Sequence, residues 1–272
     1  MTRHVPFVSK YDQIRKLEKL AFILLLVSAC LILANWGIVE FFDTSSNEIY
    51  ESFKDLAKVF SYVSMIGYLI VKLIAKILFH NVEKLKRNDL IDNSFGTNYS
   101  DENTAEYYNN EEAESGIKKL ALNSYESSFH TENTLKVMLN KSMIILIVLS
   151  VPFFLSIFTK GGSDIVRILF EISIPLTLIS EFVILLVYFL NVSSINERFK
   201  IEFTNLKSEK ILESEVPKLL IPVLEYYSIK SWANTNLDSK IFNDNNEKVS
   251  EKWKTRKEKL KKQRHTNKVY GE

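Results

Sequence analysis

The chain has 272 residues, 46% of them hydrophobic, and a formal net charge of +2, averages that suit an ordinary soluble protein. A single cysteine, Cys30, excludes both a disulfide framework and a cysteine-based metal site within one chain. The averages hide a strong clustering of the apolar residues along the sequence.

Four apolar runs follow one another, at 20–39, 57–79, 142–158 and 168–190. A hydrocarbon core about 30 Å thick is crossed by about 20 helical residues, so each run predicts a membrane-spanning helix. The alternative is four buried helices of a soluble core, but so short a chain has too little polar sequence to cover them. The predicted fold class is therefore an all-α membrane protein in contact with a lipid bilayer, with four transmembrane helices forming two hairpins.

The Lys and Arg residues outside these runs predict the orientation in the membrane. Five lie in 1–19, seven in 80–141 and seventeen in 193–272, against one in 40–56 and two in 159–167. Cytoplasmic segments carry the excess of positive residues in membrane proteins. Both termini and the middle segment are therefore expected on the cytoplasmic side.

The same boundaries divide the chain into five segments. The first three are a cytoplasmic N-terminal segment at 1–19, a first transmembrane hairpin at 20–79 and a cytoplasmic helical insert at 80–141. A second transmembrane hairpin at 142–192 and a basic helical cytoplasmic tail at 193–272 follow. Within the insert, 92–115 is acidic and poor in aliphatic residues, which predicts a loop or a disordered stretch.

The second half of the insert has a helical pattern. Apolar side chains recur at three- and four-residue spacing, which predicts one face of a helix formed by Ile117, Leu120, Ala121, Tyr125 and Phe129. Thr131, with Glu132 directly behind it, predicts the start of a new helix after a kink near His130. The new helix is expected to continue into the third apolar run.

A basic run, "KVSEKWKTRKEKLKKQR" at 248–264, follows in the tail. Such a run binds anionic lipid headgroups, nucleic acid or an acidic partner. On the cytoplasmic side of a membrane protein, contact with lipid is the simplest of the three. Double-stranded nucleic acid is not expected as a partner.

The sequence contains no recognisable catalytic constellation, so no enzymatic activity, cofactor or metal is predicted. The four histidines are scattered, and neither a P-loop nor G-x-G-x-x-G occurs. None of the serines lies in G-x-S-x-G.

Three charged residues lie inside the apolar runs: Lys72 in the second, and Glu171 and Glu181 in the fourth. A charge at the centre of a membrane helix costs about 2.5–3.5 kcal/mol, and such groups usually face the interior of a helix bundle. Glu181 and Lys72 are expected at similar depth, since each helical residue advances about 1.5 Å. The sequence predicts a Lys72–Glu181 ion pair or a polar path, with Glu171 near the outer interface.

Two prolines, Pro152 and Pro175, lie within the third and fourth apolar runs. Each removes one helical hydrogen bond, so both predict a kink. Kinks in both helices of one hairpin suit a bundle that repacks or opens, and the alternative is a static bundle with one buried ion pair.

Two segments resemble a known group of proteins: "NSYESSFHTENTLKVM" at 123–138 and "NLDSKIFNDNNEKVSEKW" at 236–253. With the arrangement of hairpin, insert, hairpin and charged tail, they resemble the SMODS-associated four-transmembrane (S-4TM) effectors of bacterial antiphage defence. The resemblance implies a bacterial inner-membrane protein, expected as a homo-oligomer, that answers a cyclic nucleotide made by a partner nucleotidyltransferase. Such an effector kills or arrests the cell by permeabilising its membrane.

If a nucleotide binds, aromatic and cationic residues of the insert and tail are the expected contacts, because bases stack on aromatic rings and phosphates need cations. The candidates are Lys118, Lys119, Tyr125, Phe129, His130, Arg198, Lys200 and Trp253. Packing within an amphipathic face explains Tyr125 and Phe129 equally well. Two alternative functions stay open, a non-conducting membrane anchor for a cytoplasmic partner and a small ion channel or transporter.

Overall fold

The structure is a computed structural model that describes residues 7–41, 48–100, 110, 113–159, 165–206 and 211–269. Within these ranges every regular element is helical and none is a strand. Six α-helices and one short 3-10 turn, Glu213–Glu215, occur in the described chain. The helices are α1 (Val8–Phe41), α2 (Glu48–Phe95), α3 (Ile117–Thr159), α4 (Ile165–Thr204), α5 (Val216–Ala233) and α6 (Ser239–Val269). The predicted all-α class is confirmed.

Helices α1 to α4 are long and apolar enough to cross a membrane. Each contains one of the four predicted apolar runs and continues beyond it. The described residues form two compact units. The first, called here the span unit, comprises Asp12–Leu78 and Asn140–Ile184, and the second, the terminal unit, comprises Met1–Tyr11, Phe79–Leu139 and Leu185–Glu272.

The span unit has an apolar core to which all four long helices contribute. Helix α1 supplies one face with residues three or four apart, and the core consists of Ala21, Leu25, Ala29, Ile32, Met65, Tyr68, Phe153, Ile174 and Leu178. Small residues bring helices close together in membranes. Gly67 of α2 is such a position, because a Cβ there would lie 3.3 Å from Leu24 Cδ1 of α1.

The outer surface of the span unit is apolar as well. Large side chains on three helices are more than half exposed, among them Ile23, Val59, Phe60, Ile144 and Val148. A soluble protein rarely exposes so much contiguous apolar surface. Lipid tails are the medium that such a surface requires, so the span unit is in contact with the bilayer.

The terminal unit has a core of aromatic rings. Tyr125 of α3 lies parallel to Phe199 and Phe203 of α4, with ring centroids 5.1 Å and 5.9 Å away. Trp253 of α6 meets the same tyrosine edge-on at 5.0 Å. Stacked and edge-on arrangements are those that aromatic quadrupoles favour, so this cluster fixes α3, α4 and α6 against one another.

The helix start predicted at Thr131 is wrong, because α3 runs without interruption from Ile117 through His130 to Thr159. The Thr131 hydroxyl does not cap a helix. It lies 2.9 Å from the Tyr226 hydroxyl of α5 and is buried, so it joins two helices of the terminal unit.

The loop predicted at 92–115 is wrong at its start, whereas its last residues, 113–115, precede α3 and are not helical. Residues 92–95 are the last turn of α2, and Gly96 follows with φ 69°, a left-handed conformation that glycine adopts without strain. The Asp92 carboxylate accepts hydrogen bonds from the backbone of Tyr99 and Ser100, at 2.7 Å each, and orders 96–100. Residues 101–109, 111 and 112 of the predicted loop lie outside the described residues.

Candidate functional site

An open pocket of about 440 Å³ lies in the terminal unit between α3, α4 and α6. Its lining is Phe129, Lys200, Lys252, Thr255, Arg256, Lys259 and Leu260. Four of these seven side chains are cationic and none is acidic. The pocket therefore favours an anionic ligand, and its aromatic wall suits one that also carries a planar group.

Helix α6 supplies most of the lining because of its residue spacing. Lys252, Arg256 and Lys259 follow one another at four- and three-residue intervals, which places them on one face of a helix. The same helix buries Trp253 and Leu260 in the terminal unit, so the cationic face is held in a fixed direction.

Arg256 is the most constrained cation of the pocket. Its guanidinium carbon lies 4.5 Å from the ring centroid of Phe129, within the range of a cation–π interaction. One of its N–H groups donates to the hydroxyl of Tyr125 at 3.2 Å. Because Tyr125 is fully buried in the aromatic core, Arg256 connects the pocket directly to that core.

The lysines of the pocket differ in their partners. The Lys200 ammonium lies 2.9 Å from the exposed Glu197 carboxylate one turn earlier in α4. Among the residues that the structure describes, no acidic side chain forms a salt bridge with Lys252 or Lys259. Their charges remain available to phosphate oxygens, which cations bind through charge-assisted hydrogen bonds.

The structure brings together some of the predicted ligand residues and separates others. Phe129 and Lys200 line the pocket, and Tyr125 and Trp253 pack directly behind it. Arg198 forms an ion pair with Glu225 of α5 at 2.6 Å, and His130 packs against Phe242. Lys118 and Lys119 lie in the first turn of α3 and do not line the pocket.

Sequence reasoning missed Lys252, Thr255, Arg256 and Lys259, which lie in the basic run assigned to lipid contact. Their spacing beside Trp253 and Leu260 indicates only that the lysines do not all face one surface, because a helix that buries two large apolar residues cannot present all its lysines to one side. Which lysines face a pocket depends on α3 and α4, more than 50 residues earlier in the chain.

A second polar cluster lies in the span unit. Lys72 Nζ of α2 is 2.8 Å from Glu181 Oε1 of α4, the two residues that the sequence pairs. The Tyr68 hydroxyl donates to the same oxygen at 3.0 Å. An uncompensated charge at the centre of a membrane helix costs about 2.5–3.5 kcal/mol, so the pair and the tyrosine together reduce a penalty that either charge alone would carry. The Glu171 side chain lies outside the described residues.

A third cluster is an ion pair buried in the terminal unit. Lys230 Nζ, in the last turn of α5, lies 2.7 Å from Glu83 Oε2 of α2, and the Tyr11 hydroxyl donates to Glu83 Oε1. Both charged side chains are almost wholly buried. Burial lowers the pKa of the Lys230 ammonium to about 8, although the Glu83 carboxylate raises it. This pair ties α1, α2 and α5 together and does not touch the pocket.

Four apolar helices and the lipid-facing surface of the span unit define the chain as an all-α membrane protein. Comparison with models of known protein families, with curated proteins and with solved structures finds no match. No group of three or more His, Cys, Asp or Glu side chains suited to a metal ion occurs in the described part of the chain.

Proposed function

We propose that this chain is a membrane effector: an anionic cytoplasmic ligand binds the α6 pocket, and the protein then oligomerises or opens and permeabilises the bacterial inner membrane. The observation that carries the proposal is the pocket itself, with four cations, no acid and the Phe129 ring among its lining residues. A pocket of this composition needs an anion to offset the mutual repulsion of its cations. The same chain carries this pocket in one unit and membrane-spanning helices in the other, which suits a receptor that acts on the membrane.

The ligand that fits best is a nucleotide, and the resemblance to S-4TM effectors narrows this to a cyclic nucleotide made by a partner nucleotidyltransferase. Lys252, Arg256 and Lys259 are suited to phosphate groups. The guanidinium of Arg256 is planar and lies over the buried ring of Phe129, so its other face offers a surface for a base.

Two helices provide a route from the pocket to the membrane. Helix α3 carries Phe129 in the terminal unit and Pro152 in the span unit, and α4 carries Lys200 and Pro175 in the same way. Proline inside a helix removes a backbone hydrogen bond and weakens the helix at that point. A ligand that shifts α3 or α4 therefore acts on helices in which Pro152 and Pro175 leave one backbone hydrogen bond unmade within the spans.

The distribution of Lys and Arg along the chain supports a pocket on the cytoplasmic side of the membrane, where such a nucleotide is made. The terminal unit contains segments that the sequence assigns to the cytoplasm, namely the insert and the tail. The role in antiphage defence is supported only by the resemblance to S-4TM effectors.

A binding experiment on the full-length protein in detergent tests the ligand. We expect calorimetry with a panel of cyclic di- and trinucleotides to identify a ligand whose affinity falls at least about tenfold in the Lys252→Ala/Lys259→Ala variant. The matched control, Lys254→Ala/Lys261→Ala, removes the same charge from the opposite face of α6, about 180° around the helix. Equal affinity of the pocket variant and the control for that ligand contradicts the proposal.

The second candidate function is a non-conducting membrane anchor for a cytoplasmic partner. The packed apolar core of the span unit favours this function. Leu25, Tyr68 and Phe153 are buried in that core, where a conducting path would need open space between the helices. Membrane potential separates the two functions. An effector depolarises cells that contain its ligand, whereas an anchor produced in the same cells leaves the potential unchanged.

A further inference from the structure

The Lys72–Glu181 ion pair lies at the edge of the helix bundle. Within the span unit, the buried positions of α2 on either side of it are Met65, Tyr68 and Ala75, and those of α4 are Ile174 and Leu178. The side chains of Lys72 and Glu181 themselves remain 28% and 39% exposed. The pair therefore has one side against the core of the span unit and one side open.

The open side carries polar atoms that need partners. Lys72 Nζ and the Tyr68 hydroxyl both bind Glu181 Oε1, so one carboxylate oxygen receives both contacts. Within the described ranges neither Glu181 Oε2 nor the remaining N–H groups of Lys72 have a hydrogen-bond partner. Both residues lie well inside apolar runs, where lipid tails offer none, and leaving such groups unpaired in hydrocarbon is strongly unfavourable.

The surface around the open side suits close contact with another helix. On α4 the residues beside Glu181 are Thr177 and the exposed Ser180, whose side chains are small. On α2 the exposed large side chains closest to Lys72 in the sequence are Leu69, Ile70, Leu73 and Ile74. Small residues that permit close approach, with polar groups that bond across the contact, are what associates helices in membranes.

We infer that a second copy of this chain covers the ion pair, with the Lys72 ammonium of one copy against the Glu181 carboxylate of the other. The surface presents one positive and one negative group side by side, so it is complementary to itself. A two-fold contact then gives each charge a second partner, since every contact occurs twice. The four charges form one cluster between the copies.

This inference rests on the membrane placement in the proposed function but not on its ligand, and its test is carried out without nucleotide. Disulfide cross-linking in membranes uses Ser180→Cys on a Cys30→Ser background, with Val183→Cys as the control. Val183 is exposed on the same helix, about 200° around it from Glu181. We expect a cross-linked dimer from the cysteine at position 180 and little from the one at 183. Equal cross-linking at the two positions, or none at 180, overturns the inference and leaves lipid or water as the occupant.

Charge variants add a test that distinguishes contact between copies from contact within one chain. We expect Glu181→Gln or Lys72→Met alone to lower the dimer fraction at position 180, with a dimerisation constant about tenfold weaker. Co-production of the two variants in one cell restores part of the dimer, because a mixed dimer regains one contact between Lys72 and Glu181. No recovery in the mixture overturns the inference. Ser180→Trp obstructs the surface and leaves the ion pair intact; because it lacks the cross-linking cysteine, its oligomeric state is measured by light scattering in detergent beside wild type. We expect a dimer for wild type and a folded monomer for Ser180→Trp, and a dimer that persists in this variant also overturns the inference.

Discussion

Lys230 and Glu83, which lie 147 positions apart in the sequence, form a 2.7 Å ion pair that is almost wholly buried in the terminal unit. Removing one partner strands a charge in a buried site, and for buried pairs this costs about 3–5 kcal/mol. We expect Lys230→Met to destabilise the protein by about that amount. The double variant Lys230→Met/Glu83→Gln should be less destabilised, which chemical unfolding in detergent measures. A double variant that is as unstable as the sum of the single variants contradicts the pairing.

The same lysine predicts a dependence of stability on pH. Burial lowers its pKa to about 8, so from that pH up to the ordinary lysine value the unfolded chain holds a proton that the folded chain has released. The free energy of unfolding therefore rises with pH across this interval. Unfolding at about pH 8 and about pH 10 should show a smaller rise in Lys230→Met than in wild type. The control is Lys218→Met, an exposed lysine of α5. If wild type and Lys230→Met change equally with pH, the lysine does not titrate in this interval.

The Lys72–Glu181 pair predicts a coupling that a double-mutant cycle measures. We expect Lys72→Met and Glu181→Gln each to cost about 1–3 kcal/mol of stability in detergent, and the two together to cost less than their sum. Tyr68→Phe removes one hydrogen bond to Glu181 Oε1 and should cost about 1 kcal/mol. Additive effects of the lysine and glutamate substitutions would mean that the pair is not coupled. If Glu181→Gln changes neither stability nor membrane activity, the carboxylate has no role.

Two tryptophans provide a matched test of the aromatic core. Trp253 is 3% exposed and packs on Tyr125, whereas Trp232 is 56% exposed. Trp253→Ala should cost about 3–5 kcal/mol, as other large-to-small core substitutions do. Trp232→Ala should stay within about 0.5 kcal/mol of wild type. Similar losses of thermal stability in the two variants would argue against the packing of α6.

The predicted orientation is tested by labelling single cysteines on a Cys30→Ser background. Cysteines at the two termini and at position 100 should react only after the membrane is permeabilised. Cysteines within 43–50 and 161–164 should react in intact cells, because those segments are expected outside. Reaction of the cysteine at position 100 in intact cells would remove the four-span orientation.

The sequence predicts the four membrane helices well because each depends on a local property, an apolar run long enough to cross a bilayer. The meeting of Lys72 and Glu181 was predictable for a related reason. Charges are rare inside such runs, and the helical rise places these two at similar depth. The local sequence and the thickness of a bilayer were therefore sufficient to predict both the four helices and this ion pair.

The pocket and the Glu83–Lys230 pair could not be predicted in this way. Both depend on contacts between segments far apart in the chain, and a lysine that lines a pocket looks the same in sequence as one in water. Thr131 is a similar case. Its hydroxyl resembles a helix cap in sequence, but it bonds to Tyr226 instead, and no local pattern signals that contact.

The central claim, that a ligand in the α6 pocket opens the membrane, is tested most directly by dye release from liposomes that contain the purified full-length protein. With the nucleotide identified by calorimetry, wild type and the Lys254→Ala/Lys261→Ala control should release the dye. The Lys252→Ala/Lys259→Ala variant should retain it at the same ligand concentration. Release by the pocket variant at the wild-type rate, or retention by ligand-bound wild type, would contradict the account.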